Sequence, residues 1–391
     1  MNKKVTGHPF DKLRAGESRV TSLLRKPPVA GCRLLKRYWR KNWFHKVVVI
    51  LVLVIGMSVG TMYGVARWYI WSQRNVPLTL GASFIPDYAE QLGVNPQQTL
   101  HAIMYDLGVR NLRFVSYWND VEPTKGHYDF KTLDWEFAAA DAAHAKVTLS
   151  IGLRQPRWPE CHPPNWVNTA APDNQWEPEL EQYMQAVIER YKNNPALQSY
   201  QLENEYFLST FGQCKNFDRG RLVNEFNFVK KLDPGHPVII SRSNNAIGLP
   251  IGQPTPDEFG VSVYKRVWDQ TITHRYVEYP FPAWFYAFLA GGGKILTGKN
   301  MIIHELQAEP WPPFGEQLTK TSIAVQNESL SPARLKDRFA YGKATGIKQI
   351  YLWGAEFWYY RKVKLHDPDL WNVARAQYAA ARVQNAELEK R

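Results

Sequence analysis

Two glutamates in this sequence stand where a pair of carboxyl groups could act on one bond. Glu205 closes the run LQSYQLENE (197–205), and Glu305 lies near the end of NMIIHEL (300–306). Both runs are short, rich in residues that favour strands, and set off by polar or turn-forming neighbours. Other polar and aromatic residues fall at the ends of similar runs. Arg113 to Trp118 lie in and just after NLRFVSY, Arg154, Trp158 and His162 follow KVTLSIG, Tyr264 ends FGVSVY, and Trp353 lies in KQIYLWG with Glu356 beyond. Hydrolysis of a glycosidic bond with retention needs two carboxyl groups about 5–5.5 Å apart, one as acid/base and one as nucleophile. Tryptophan and tyrosine give flat platforms for the apolar faces of sugar rings. Glu309 is an alternative to Glu305, but it precedes Pro310 in a loop, whereas Glu305 closes the β run.

The elements that must position these groups alternate along the chain. Eight strand-like runs are expected at 78–84, 111–117, 146–152, 197–205, 237–243, 259–264, 300–306 and 348–354. Helical patterns separate most of them, at 96–108, 133–145, 177–193, 220–234 and 331–346. The last opens with Ser331-Pro332, a cap followed by proline at the first helical position. The interval SNNAIGLPIGQPTPDE is rich in Pro and Gly, so the fifth helix is expected to be short or absent. The aromatic run 281–291 reads as a barrel helix packed on the sheet, with a segment that dips into the bilayer as the alternative. Strand–helix alternation implies a parallel sheet, and eight strands in some 300 residues imply closure into a (β/α)8 TIM barrel, whose chemistry sits at the C-terminal ends of the strands.

The Asn204-Glu205 pair at strand four, with Glu305 about a hundred residues later at strand seven, resembles clan A of the retaining glycoside hydrolases. The stretch NLRFVSYWNDVEPTKGHYDF resembles the strand-two region of members of families 5, 39 and 42, and the likeness covers roughly 78–360. It implies Glu205 as acid/base, Glu305 as nucleophile, and Asn204 as the residue that holds the sugar 2-hydroxyl. Tyr264 and Arg113 would support the nucleophile, and Trp353 would be a platform at the cleaved sugar. Trp118, Trp158 and His162 are expected as further substrate contacts.

The chain carries a net charge of +12. Residues 1–46 hold thirteen Lys and Arg against Asp11 and Glu17, which accounts for all but one of those charges. The remainder is almost neutral, so a basic nucleic-acid groove is not expected. From Val47 to Ala66 no residue is charged. About 20 residues at 1.5 Å each span the roughly 30 Å hydrocarbon core. Arg33, Lys36, Arg37, Arg40, Lys41 and Lys46 precede this run, and Trp68, Tyr69 and Trp71 follow it. That order predicts a signal anchor over 47–69 contacting the bilayer, with the N-terminus cytoplasmic and the rest extracytoplasmic. The run is longer than the usual 7–15 residues of a cleaved signal peptide. Residues 1–46 are then a basic, disordered cytoplasmic tail, 70–77 a tether, and 78–391 the barrel with a C-terminal helix.

Cys161 and Cys214 fall in the loops after strands three and four. Consecutive strands of a barrel are neighbours, so both loops leave one face side by side, and a disulfide between them is expected in an exported domain. The cysteines lack a CxxC and the histidines are scattered, so neither a structural metal nor a cofactor is expected. The expected function is double displacement at β-glycosidic bonds of an extracytoplasmic oligo- or polysaccharide. Alternatives are transglycosylation at the same site, or tethered glycan binding without turnover.

Overall fold

The computed structural model describes residues 43–390 apart from 215, 245–247 and 249–251. Most of the basic tail, including Cys32, lies outside the described residues. The described chain opens with a long helix α1 (Trp43–Ser72), and a second compact unit begins within it at Met62. By length and composition α1 is apolar enough to cross a membrane. It runs on to Ser72, past residue 69 where the span was expected to end.

The second unit is a closed barrel of eight parallel strands in sequential order. They are β1 (Thr79–Ser83), β2 (Asn111–Val115), β3 (Lys146–Ile151), β4 (Leu197–Leu202), β5 (Val238–Arg242), β6 (Glu258–Val263), β7 (Asn300–Gln307) and β8 (Gln349–Trp353). β8 closes on β1 with Thr79 opposite Gln349. The connecting helices are α2 (Pro96–Tyr105), α3 (Lys131–Ala142), α4 (Glu177–Tyr191), α5 (Arg219–Leu232), α6 (Ala283–Thr297) and α7 (Pro332–Ala344). α8 (Ala355–Lys364) and α9 (Asp369–Glu389) complete the chain. Among the described residues no helix joins β5 to β6, as the Pro/Gly-rich interval implied. A short antiparallel ribbon, Arg266–Trp268 with Tyr276–Glu278, follows β6 and had no signal in the sequence pattern.

Local chemistry sets the helix starts. Ser331 Oγ accepts from Arg334 N with Pro332 next, and Asn95 accepts from Gln98 N with Pro96 next. Each cap satisfies an otherwise orphaned amide. The main core lies between strands and helices, where Leu112, Phe114, Leu149, Leu202 and Val263 are buried. Inside the barrel a small apolar cluster of Ile239, Ile302 and Tyr351 fills the space toward the strand starts. Gly81 makes room for it, since a Cβ there would meet the Tyr351 ring at 2.6 Å. Toward the strand ends the interior turns polar, with Arg113, Gln201, Ser241, Ser262 and His304 all buried. A fully polar and buried layer at that end is where a barrel carries its chemistry.

Cys161 and Cys214 form a disulfide, with Cα atoms 5.4 Å apart and a sequence separation of 53. Cys161 also bridges back to Arg154 across the loop after β3. The cross-link therefore ties that loop to the one after β4. A loop of this size is worth up to about 4 kcal/mol in chain entropy, and often less. Replacing both cysteines by serine is expected to lower the urea midpoint of the barrel by a measurable part of that amount. An unchanged midpoint would show that the two loops are held without the bond.

Candidate active site

Strand β4 stops at Leu202, and the next residues abandon the extended conformation. Glu203 and Glu205 have φ of 54° and 46°. Alternation along an extended strand would set Asn204 on the face opposite Glu205, but two left-handed residues turn this segment so that both enter one site. Such a conformation costs of order 1 kcal/mol or more and has to be imposed by surrounding contacts. Glu203 supplies several of them. Its carboxylate accepts from the Leu153 and Arg154 amides at 2.7 and 3.1 Å and pairs with the buried Arg221 at 3.1 Å. Arg221 also meets Glu225 on α5. Gly152 (φ 101°) permits this closeness, because a Cβ there would fall 2.6 Å from the Glu203 carboxylate.

Strand β7 has a matching irregularity. Ile303 pairs with Val261 and Glu305 with Ser262, so one residue of β7 is skipped against β6. The same skip occurs against β8 between Ile303 and Leu306. A bulge of this kind re-aims side chains. Here the two consecutive residues His304 and Glu305 both come within reach of Ser262 Oγ, at 3.3 and 3.5 Å.

Glu205, Glu305 and His304 are thereby brought together, with one oxygen or ring nitrogen of each within 4.8 Å of the others. All three are buried. Ser262 Oγ donates to Glu205 Oε1, and the Glu205 amide donates to Ser241 Oγ at 3.0 Å. Tyr264 OH donates to Glu305 Oε1 at 3.0 Å, and Arg113 lies 3.8 Å from Glu305 Oε2. Burial, then the Glu305 charge, then that of Glu160 push the Glu205 carboxyl up to about 8. Burial raises Glu305 as well, but Arg113 and the Tyr264 hydroxyl oppose that rise. Both carboxyls are thus raised, but in unlike environments: an arginine and a tyrosine hydroxyl oppose the rise at Glu305, while the charges of Glu305 and Glu160 add to it at Glu205.

Arg113 on β2 connects four strands. It donates to Gln201 at 2.6 Å, to Asn204 Oδ1 at 3.0 Å, and to Ser83 Oγ and the His304 carbonyl at 3.3 Å. Gln201 also donates to Asn204 Oδ1 at 2.9 Å. With its oxygen so engaged, Asn204 turns its amide nitrogen to Glu160 Oε2 at 2.9 Å. Arg154 Nε holds the Asn204 carbonyl at 2.6 Å. Glu160 itself is buried, with φ of 72°, and burial raises its carboxyl to about 7 against the pull of Arg154 and Asn204.

Glu309 stands apart from this pair. It accepts from Trp353 Nε1 at 2.9 Å and pairs with Arg157 at 3.2 Å. Arg157 stacks over Tyr88 and Trp353, at 3.3 and 4.6 Å from the ring centroids. Glu309 thus fixes the Trp353 ring. His162 stacks on Tyr117 at 3.7 Å, and burial lowers its imidazole to about 4, so it is neutral near pH 7. Trp158 is exposed and edges onto Phe211, which continues to Trp311 and Tyr264. Trp118, expected among the substrate contacts, is instead fully buried. Its Nε1 donates to Glu122 at 2.8 Å and its ring stacks on Tyr183, so it has no face to offer a sugar.

The Glu205, His304 and Glu305 cluster is close enough to hold a cation. Its charge is already met, however, by the guanidinium of Arg113 beside Glu305, and a divalent ion would have to sit against that positive group. The arrangement suits a proton shared unequally between two carboxyls. Sequence reasoning missed Glu160, Gln201, Ser262, Arg157 and Trp311. Ser262 lies on β6 two residues before Tyr264, which directly follows that strand, and this spacing of two is the one periodic signal that could have found it. Glu160 and Arg157 sit in a loop whose path no pattern prescribes.

No protein-family model and no curated protein matches the sequence. Solved structures do resemble the chain. A β-galactosidase from Halorubrum lacusprofundi aligns with a TM-score of 0.51 at 13% identity, over 79% of this chain and 58% of that one. A β-galactosidase from Rahnella sp. R3 gives 0.50 at 12% identity, over 79% and 56%. Endo-glycoceramidase II from Rhodococcus sp. gives 0.46 at 14% identity, over 71% and 73%. The chain spans little more than half the length of the two β-galactosidases. The likeness to the two β-galactosidases bears on the fold alone.

Proposed function

We propose that this chain is a retaining glycosidase acting on β-linked glycans, anchored in a membrane by α1 with its barrel on the extracytoplasmic side. The observation that carries the reading is the buried pair Glu205 and Glu305, with carboxylate oxygens within 4.8 Å and unlike electrostatic surroundings. Inverting enzymes need roughly 6.5–9.5 Å between carboxyls to admit a water, so this closeness favours retention. Glu305, ionised and held by Tyr264 and Arg113, attacks the anomeric carbon as Glu205 passes its proton to the leaving oxygen. The C–O bond to the aglycone breaks as the bond to Glu305 forms. Water then attacks that glycosyl ester, Glu205 takes its proton, and Glu305 leaves as a carboxylate. Asn204, its oxygen fixed by Arg113 and Gln201, offers an amide hydrogen to the sugar 2-hydroxyl. Trp353, locked by Glu309, is the platform under the ring. The Cys161–Cys214 disulfide supports an oxidising compartment, and the basic flank before residue 47 supports a cytoplasmic N-terminus.

Azide separates the two roles. With an activated aryl β-glycoside, Glu205→Ala is expected to be rescued as the β-glycosyl azide and Glu305→Ala as the α-anomer, read by NMR of the product. With a poor leaving group, Glu205→Ala should lose about 10²–10⁴-fold in rate, the usual share of a general acid. If Glu309→Ala abolishes turnover and Glu305→Ala does not, the nucleophile is misassigned.

The pH profile is a separate check. Glu205 acts protonated, so kcat/KM should fall as pH rises through about 8. Removing a neighbouring negative charge weakens that carboxyl's hold on its proton. Glu160→Gln is therefore expected to move the alkaline limb to lower pH while still accepting from Asn204. An alkaline limb that stays in place would show that Glu160 does not act on Glu205.

A further inference from the structure

We propose that Glu160, in the loop after β3, is the acceptor half of a donor–acceptor pair that selects the C2 substituent of the sugar, with Asn204 as the donor half. Glycosides with a free 2-hydroxyl are then substrates, and 2-acetamido glycosides are not. This rests on the glycosidase reading and narrows its substrate class.

The pair follows from what each polar atom has left to bond. Asn204 Oδ1 accepts from Arg113 Nη2 at 3.0 Å and from Gln201 Nε2 at 2.9 Å. Two donors on one end of the amide fix the other end as nitrogen. That nitrogen carries two hydrogens. One goes to Glu160 Oε2 at 2.9 Å, and the same oxygen meets Arg154 Nη2 at 3.5 Å. Among the described residues no hydrogen bond reaches Glu160 Oε1, and no second acceptor meets Asn204 Nδ2. One donor hydrogen and one acceptor oxygen therefore remain on two groups that already touch. A single hydroxyl matches them, since its oxygen accepts from Nδ2 while its hydrogen goes to Oε1.

The position of the pair points to C2. Asn204 adjoins Glu205 in the chain, Glu205 feels the charge of Glu160, and Glu160 feels that of Glu305. Glu160 thus faces the space shared by the two carboxyls that act at C1. Of the two ring neighbours of C1, only C2 carries a hydroxyl; the ring oxygen has no hydrogen to give. As positive charge develops at C1, the 2-hydroxyl becomes a better donor, and its bond to a carboxylate tightens in the transition state.

The wall behind the pair is braced. Glu160 is left-handed, with φ of 72°. Its amide donates to the Arg157 carbonyl at 2.7 Å, and its carbonyl accepts from the Gln155 amide at 2.8 Å. A Cβ on Gly212 would come within 2.8 Å of Glu160 Cβ, so the loop after β4 lies directly behind it. The Gln213 amide donates to the Pro159 carbonyl at 2.9 Å, and the Cys161–Cys214 disulfide closes the same contact. An acetamido group is several heavy atoms larger than a hydroxyl. To enter, it would have to push this segment aside, and a well-packed wall resists that.

The test uses the full chain in detergent and a panel of 4-nitrophenyl β-glycosides, each as the parent sugar, its 2-deoxy form and its 2-acetamido form. The wild-type chain is expected to hydrolyse a parent glycoside and to leave its 2-acetamido form intact. The ratio of kcat/KM for parent over 2-deoxy sugar is then measured for wild type, Glu160→Gln and Glu160→Ala. Comparing ratios between proteins cancels the intrinsic reactivity of the 2-deoxy sugar, and working at one pH cancels any shift of the alkaline limb. Both substitutions should lower the ratio by about tenfold or more, the usual weight of a hydrogen bond to a charged group. Glu160→Gln keeps the shape of the side chain and the bond from Asn204 but puts an NH2 where the free oxygen stood, so a loss there cannot be laid to a disordered loop. A ratio unchanged in both variants, or a 2-acetamido glycoside hydrolysed as fast as its parent, overturns the assignment while leaving the glycosidase reading intact. If the wild-type chain hydrolyses no member of the panel, the glycosidase reading fails and this assignment falls with it.

Discussion

Two buried carboxyl groups in the middle of the barrel lean on a single guanidinium. Burying one unpaired charge costs several kcal/mol, and burying two of the same sign in contact costs more. Arg113 lies beside Glu305 at 3.8 Å and acts more weakly on Glu205. Its donors run to Ser83, Gln201, Asn204 and the His304 carbonyl, so the strands on either side of the site are registered by the same side chain that sets its charge. Burial raises both carboxyls, which favours a retained proton, and the surroundings decide where it sits. Tyr264 and Arg113 face Glu305, while Glu205 has a serine hydroxyl, burial, and the charges of Glu305 and Glu160. Two chemically identical side chains are thus given unlike surroundings by their neighbours, as the proposed division into acid and nucleophile requires.

Such a site survives only if its backbone is braced. The left-handed residues Glu203 and Glu205 are held by loops and not by the sheet. Glu203 fastens the β3 loop amides and Arg221, Arg154 grips the Asn204 carbonyl and the Phe211 carbonyl at 2.9 Å, and the disulfide joins the two loops beside them. Gly212 (φ 88°) sits directly against Glu160, where a Cβ would approach to 2.8 Å. The same elements therefore determine the shape of the loop and the position of the carboxylate that biases Glu205. Glu309 and Arg157 play the parallel part on the other side, where they fix Trp353.

Much of this arrangement was legible in the sequence, and the reasons are specific. All eight barrel strands were readable because each is a short β-rich run between helical periods, and barrel closure followed from their number. Glu205, Glu305, Arg113 and Tyr264 were readable because barrel chemistry collects at strand ends. The segment 203–205 was not, since alternation describes a strand and this one has stopped; only the backbone turns at 203 and 205 bring Asn204 and Glu205 together. The bulge at His304-Glu305 is likewise invisible to a period of two. Trp118 failed as a substrate contact because nearness to a strand end does not say which way a side chain points, and Glu122 claimed its indole nitrogen. Glu160 lies in a loop, where local sequence gives no direction at all.

The central claim is that Glu305 becomes covalently attached to the sugar. A 2-deoxy-2-fluoro β-glycoside with a good leaving group slows breakdown of the glycosyl ester more than its formation, so the ester accumulates. Mass spectrometry of a proteolytic digest then locates it. The account predicts one fluoroglycosyl group per chain on the peptide containing Glu305, carried by the Glu305 side chain, and lost when the trapped protein is left to turn over. Attachment at Glu309 or Glu205, or turnover of the unfluorinated glycoside with no ester formed from its fluorinated counterpart, would contradict it.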